Sequence, residues 1–94
     1  MQARQRLVVF AYDIVRDRSR ARVAALLEHE AVRVQKSVFE GRMSEAKARR
    51  IAQRIERELA PEDSLRVYFL GETASRTLTH GATPPVEMHE FYLL

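Results

Sequence analysis

Leu7-Val8-Val9-Phe10-Ala11-Tyr12 is an unbroken run of six apolar or aromatic residues that leads straight into a carboxylate, Asp13, and then Ile14. The run does not alternate with polar residues, so it predicts a strand covered on both faces rather than one half-exposed to water. Asp13 then falls where the backbone leaves the sheet, on a rigid element at the edge of solvent, which suits a metal ligand or a general base. A carboxylate in this position also ends strands and caps turns, and on these residues alone that role is the commoner one.

Ninety-four residues suffice for one domain with its own core, above the size at which disulfides or metals are usually needed. With 46% hydrophobic and 31% charged residues, the composition is that of a globular chain rather than a disordered one. Cysteine is absent, which excludes a disulfide framework and a thiolate zinc site. No apolar run approaches the length of a membrane span, so no membrane partner is expected. Residues 1–6 lead directly into the first strand and leave no room for a signal peptide, which makes a cytoplasmic setting the expectation.

The net charge of +3 conceals an asymmetry. Between Arg16 and Arg57, twelve Arg or Lys residues face six acids, and the remainder of the chain is net acidic. Fourteen of the sixteen cations are arginine, whose planar fork binds phosphate bidentately, so a polyanionic partner fits the pattern. A solvated, thermally robust surface accounts for the same charge equally well.

After Ile14, Asp17 or Ser19 can cap a helix whose apolar face is Val23, Leu26 and Leu27. Arg16, Arg18, Arg20 and Arg22 form two ridges beside that face, and His29 sits in the last turn as a structural residue. Residues 31–43 are rich in β-branched and aromatic types and predict two short strands with a tight turn near Gln35 to Ser37. A second helix starts at a Ser44 cap and buries Ala48, Ile51, Ala52, Ile55 and Leu59. Lys47, Arg50, Arg54 and Arg57 stripe its side, with Glu45–Arg49 and Arg54–Glu58 as internal pairs. Pro61 stops the helix, residues 64–70 predict a strand, residues 72–85 a loop, and residues 86–94 a final strand.

Strand, helix, strand, strand, helix, strand is the split order of a ferredoxin-like α+β domain, βαββαβ, here with an extra C-terminal strand. The expected layout is a single domain over residues 1–94, with its core at about 5–70 and the tail 71–94 packing on a partner protomer. Both helices of such a fold lie on one face of the sheet, yet the first strand asks for burial on both. A sheet-to-sheet homodimer follows as the expectation.

Tyr12-Asp13-Ile14 after the apolar strand, Asp17 and the Arg-rich helix start, Arg33-Val34-Gln35 with Ser37-Val38-Phe39-Glu40, and Leu65-Arg66-Val67-Tyr68 together resemble the CRISPR-associated Cas-two family, the adaptation-module partner of the Cas-one integrase. The resemblance covers roughly residues 7 to 70. It implies a ferredoxin-like homodimer whose last strand crosses to the other protomer, and a strand-end aspartate from each protomer near the twofold axis. There the pair can hold a divalent metal, Mg²⁺ or Mn²⁺, for endoribonuclease or deoxyribonuclease activity. Carried over, Asp13 is the metal ligand, with Tyr12 beside it, Arg20 and Arg33 as the matching arginines and Phe39 as the aromatic near the site. Two departures stand out: Lys36 occupies a position where an aromatic is common, and His29-Glu30-Ala31 lacks the glycine that often precedes the second strand.

Mg²⁺ is often held by one or two carboxylates, with water and phosphate completing its shell. One protomer offers only Asp13 at the strand end; two copies offer two. Like charges held close raise the pKa of one of them until metal arrives, so such a site depends on pH. His80 and His89 are alternative bases, but surface or packing roles fit them better. Two function classes follow. One is a metal-dependent endonuclease acting on RNA or DNA, with arginines stabilising developing charge. The other is a scaffold that binds duplex DNA through backbone contacts from Arg16, Arg20, Arg50 and Arg54 and bridges two integrases in spacer acquisition. Across both classes the nucleic-acid-binding candidates are Arg16, Arg18, Arg20, Lys47, Arg50, Arg54 and Arg57, and the expected partners are duplex DNA, single-stranded RNA or both. A stand-alone toxin ribonuclease on the same scaffold is a third possibility. An RNA-recognition module is disfavoured, because Ser37-Val38-Phe39-Glu40-Gly41 lacks the run of stacking aromatics.

Overall fold

The apolar run occupies the middle of a five-stranded sheet. The computed structural model describes residues 4–70 and 76–80. Its elements are β1 (Gln5–Asp13), α1 (Asp17–Glu28), β2 (Val32–Gln35), β3 (Val38–Ser44), α2 (Glu45–Glu56), β4 (Ser64–Leu70) and β5 (Arg76–His80). The sheet order is β2-β3-β1-β4-β5, and every neighbouring pair is antiparallel. The chain is therefore an α+β domain. β1 is hydrogen-bonded on both edges and is the central strand of the sheet.

Val8, Phe10 and Tyr12 join one core with Val23, Ala24 and Leu27 of α1 and Ala48, Ile51, Ala52 and Ile55 of α2. Phe39 and Met43 of β3 and Leu65, Val67 and Phe69 of β4 complete it. The alternate residues of β1 point the other way. There Val9 is buried, opposite Tyr68, while Leu7 and Ala11 are half-buried. Burial on both faces thus holds at the centre of the strand and weakens toward its ends.

The Ser44 cap of α2 forms as its sequence indicates, with Oγ accepting from the Lys47 amide at 3.1 Å. The cap of α1 does not. Neither Asp17 nor Ser19 takes it; Arg16 occupies the position without a side-chain bond. Asp17 lies inside the first turn, where its charge still complements the helix dipole, and its carboxylate is engaged by Arg20. Residues 31–43 split as expected, with the turn at Lys36 and Ser37 and a register irregularity between Arg33 and Gln35. The chain entering β2 crosses β3 at Gly41, where a Cβ would come within 3.0 Å of the Glu30 carbonyl oxygen.

Three local expectations need correction. α2 ends at Glu56, so Leu59 packs against the core from beyond the helix. Glu58 also lies past the helix end, and instead of pairing with Arg54 it accepts from Arg22 Nη1 at 3.3 Å, tying α1 to the end of α2. The loop expected over residues 72–85 contains β5, paired with β4 from Phe69↔Arg76 to Leu65↔His80. Residues 76–80 hold two strand-favouring threonines but a single apolar residue, too short a pattern to separate from a loop, and the edge of β4 supplies the pairing. The final strand expected over residues 86–94, and with it the tail packing, lies outside the described residues.

Phe10 is fully buried, with Phe39 opposite it on one side and Val67 on the other. Phe10→Ala is expected to destabilise the fold by about 3–5 kcal/mol. The measurement is a chemical denaturation curve, where the midpoint should fall with little change in slope.

Candidate active-site cleft

β1 delivers Tyr12 and Asp13 to the mouth of an open cleft of about 660 Å³. Asp17 and Arg20 from α1 and Arg33, Lys36 and Ser37 from the β2–β3 hairpin line the rest, over Ile14, Ala21 and Ala24. Asp13 is the last residue of β1, exposed to solvent and registered opposite Ser64 of β4. The hairpin reaches this end of the sheet because the Tyr12 amide donates to the Ser37 carbonyl at 3.1 Å, beyond the last β1–β3 pair.

Tyr12 is 5% exposed and stacks on Phe39 with ring centroids 6.3 Å apart and an interplanar angle of 21°. The Arg33 guanidinium lies over the other ring of the pair, its Cζ 5.1 Å from the Phe39 centroid. Burial pushes the Tyr12 phenol above its usual value of 10.0, against the lowering influence of Arg33 and Arg20. The phenol is thus a neutral donor at ordinary pH.

Arg20 braces the loop that follows Asp13. Its Nη1 donates to the Ile14 carbonyl at 2.9 Å and more weakly to that of Val15 at 3.4 Å, while Nη2 pairs with Asp17. On the opposite side of the loop, Asp63 Oδ1 accepts from the Val15 amide at 3.0 Å. Among the described residues, no group of three or more metal-capable side chains forms. One chain thus offers Asp13 and Asp17 as the carboxylates of the cleft.

A family model described as CRISPR associated protein Cas2 matches residues 6–77, a span that runs from the second residue of β1 through the whole of β4. The chain belongs to this family. A CRISPR-associated endoribonuclease of Synechocystis is 42% identical over 80 residues, covering 83% of this chain and 87% of that protein. A similarly named endoribonuclease of Chloroflexus aurantiacus is 36% identical over 75 residues, covering 78% and 81% respectively. Among solved structures, the Cas2 of Streptococcus pyogenes superposes with a TM-score of 0.63 at 30% identity, covering 71% of this chain and 88% of that one.

Of the residues singled out from sequence, Asp13, Tyr12, Arg20 and Arg33 line the one cleft, with Phe39 fully buried beneath Tyr12 and Arg33. Phe39 therefore reaches the cleft only through those two neighbours. Of the proposed phosphate-binding cations, Arg20 alone is in the cleft lining. Arg16 and Arg18 are exposed at the start of α1, and Arg50, Arg54 and Arg57 are exposed on α2 and its C-terminal cap. Lys47 is held by Glu30 at 2.6 Å, and that hydrogen bond keeps the Glu30 carboxyl below its usual range.

Lys36, Ser37 and Asp17 complete the cleft without having been chosen as site residues. Lys36, a departure from the family pattern, adds a third cation beside Arg20 and Arg33. Asp63 reads in sequence as a turn acid after Pro61, and nothing local marks it as a carboxylate only 1% exposed.

The raised phenol makes a definite prediction. Its folded pKa exceeds the unfolded value, so the stability linked to it is present below pH 10 and lost as pH rises through the folded value. An ultraviolet difference titration of the native chain against Tyr12→Phe should show the missing tyrosine titrating above pH 10.0. A midpoint at or below that value would contradict the burial assigned to Tyr12.

Proposed function

We propose that this chain is a metal-dependent endonuclease of CRISPR adaptation, working as a ferredoxin-like homodimer in the cytoplasm. The observation that carries the reading is the exposed Asp13 at the end of a central strand, in a cleft shared with Arg20, Arg33 and Lys36, in a family whose relatives include named endoribonucleases. The donor set suits a hard cation, since the ionisable acids lining the cleft are carboxylates with no imidazole or thiolate among them. Asp13, paired with its copy from a second protomer, is the residue to hold Mg²⁺ or Mn²⁺. Bound there, such an ion supplies an activated water and neutralises charge on a phosphodiester.

The chain's own residues do the remainder. Arg33 and Lys36 face the open cleft as cations able to take non-bridging phosphate oxygens. The Tyr12 hydroxyl is buried, so Tyr12 contributes as part of the cleft wall and as the ring stacked on Phe39. Arg20 is committed to the loop carbonyls and Asp17, so it acts mainly by holding the loop that follows Asp13. Phe39 keeps Tyr12 and Arg33 in place.

A second reading has its own observation. Arg50, Arg54 and Arg57, with Arg16 and Arg18, are exposed away from the cleft lining, as a scaffold that binds duplex DNA along its backbone and bridges the Cas-one integrase would require. The two roles are compatible on one dimer.

Asp13→Asn is expected to abolish Mg²⁺-dependent cleavage of single-stranded RNA or duplex DNA while the melting temperature stays close to that of the parent chain. Full cleavage by the variant would overturn the endonuclease reading. The paired charge reversal Arg50→Glu and Arg54→Glu should spare cleavage and weaken duplex binding. Its salt dependence should become shallower by about one unit of log–log slope for each phosphate that the variant no longer neutralises.

A further inference from the structure

Asp63 follows Pro61 and Glu62 in a turn, a setting in which an acid usually faces water. Here it is 1% exposed. Its Oδ2 accepts from the Ala60 amide at 2.8 Å, and its own amide donates to the Ala60 carbonyl at 2.9 Å, which closes the turn locally. The remaining acceptor serves no purpose in that turn: Oδ1 accepts from the Val15 amide at 3.0 Å, from a residue 48 positions earlier.

The location of this bond follows from the sheet. The β1–β4 ladder ends with Asp13 opposite Ser64, the residue next to Asp63. Two residues past Asp13, a side-chain carboxylate takes over where the backbone ladder stops. Arg20 holds the Ile14 and Val15 carbonyls from the other side. Ile14 is 3% exposed and packs into the core, whereas the Val15 side chain is 63% exposed and has little packing of its own. The path of residue 15 is therefore set by polar bonds. A buried carboxylate carries a larger desolvation cost than a serine or asparagine would, and charge-assisted bonds to two amides offset it.

We infer that Asp63 is the positioning residue for Asp13: its carboxylate fixes the direction in which the backbone leaves β1, and so where the Asp13 side chain stands in the cleft. This rests on the endonuclease reading for its functional consequence, though the clamp itself does not. Asp63→Asn keeps the shape but presents an NH₂ group to one of the two amides, so only one bond can survive.

The test compares the native chain, Asp63→Asn and Asp13→Asn by amide hydrogen exchange and by Mg²⁺-dependent cleavage of a short single-stranded RNA. In the native chain the Val15 amide should exchange as slowly as the amides of β1, despite its exposed side chain. In Asp63→Asn it should exchange faster by about tenfold or more, and kcat should fall about 10- to 100-fold with KM for the RNA unchanged, as for supports of a metal-binding residue. An unprotected Val15 amide in the native chain overturns the inference, even if the variant does not fold. So does a folded Asp63→Asn that keeps its kcat. Cleavage that survives Asp13→Asn instead sinks the endonuclease reading, and the exchange data then decide the clamp by themselves.

Discussion

Hydrogen bonding of β1 on both of its edges is the constraint from which the rest of the structure follows. A strand paired with β3 on one side and β4 on the other has its register set twice, and a slip of one residue would turn Val8, Phe10 and Tyr12 out of the core. The two helices can then cover one face through Val23, Ala24 and Leu27 and through Ala48, Ile51, Ala52 and Ile55. At the end of β1 the pairing with β3 has stopped, and Asp13 is held by its pairing with Ser64 and by the polar bonds to residues 14 and 15. That makes Asp13 a residue of defined position at the edge of solvent.

What surrounds Asp13 is a division between groups that hold and groups that remain available. Asp63 and Arg20 are committed to the backbone of residues 14 and 15, one to an amide and the other to carbonyls. Phe39 is engaged by Tyr12 and Arg33. Asp13, Arg33 and Lys36 are left facing the cleft, a carboxylate and two cations, while the Tyr12 hydroxyl is buried in its wall. Supporting residues whose own conformations are locked are what allow a small site to keep its geometry. The exposed cations of α2 belong to a different surface, and part of that helix's charge is neutralised by Glu30–Lys47 and Glu45–Arg49.

Sequence reasoning succeeded where a residue's role is repeated by its neighbours in the chain. The run from Leu7 to Tyr12, the helical spacing of Ala48, Ile51, Ala52 and Ile55, and the Ser44 cap all express local periodicity or local hydrogen bonding, which act over a few residues. It erred where one distant partner outweighs local preference. Asp17 was a reasonable cap until Arg20 and the dipole position claimed it. Glu58 was a reasonable partner for Arg54 until the helix stopped at Glu56 and Arg22 came within reach. β5 carries too little pattern of its own and exists as the continuation of an edge.

The sequence by itself determined the α+β order, the central apolar strand, the carboxylate at its end and the arginine-rich middle, because composition and periodicity are properties of the chain before it folds. The family pattern added which of those residues to bring together. Only the tertiary structure decided that Asp13, Arg33, Lys36 and Tyr12 share one cleft, that Phe39 lies beneath it, and that Asp63 reaches Val15 across 48 residues. The physical reason is that a hydrogen bond or ring contact between distant segments depends on where the sheet places their ends, and no local preference encodes that distance.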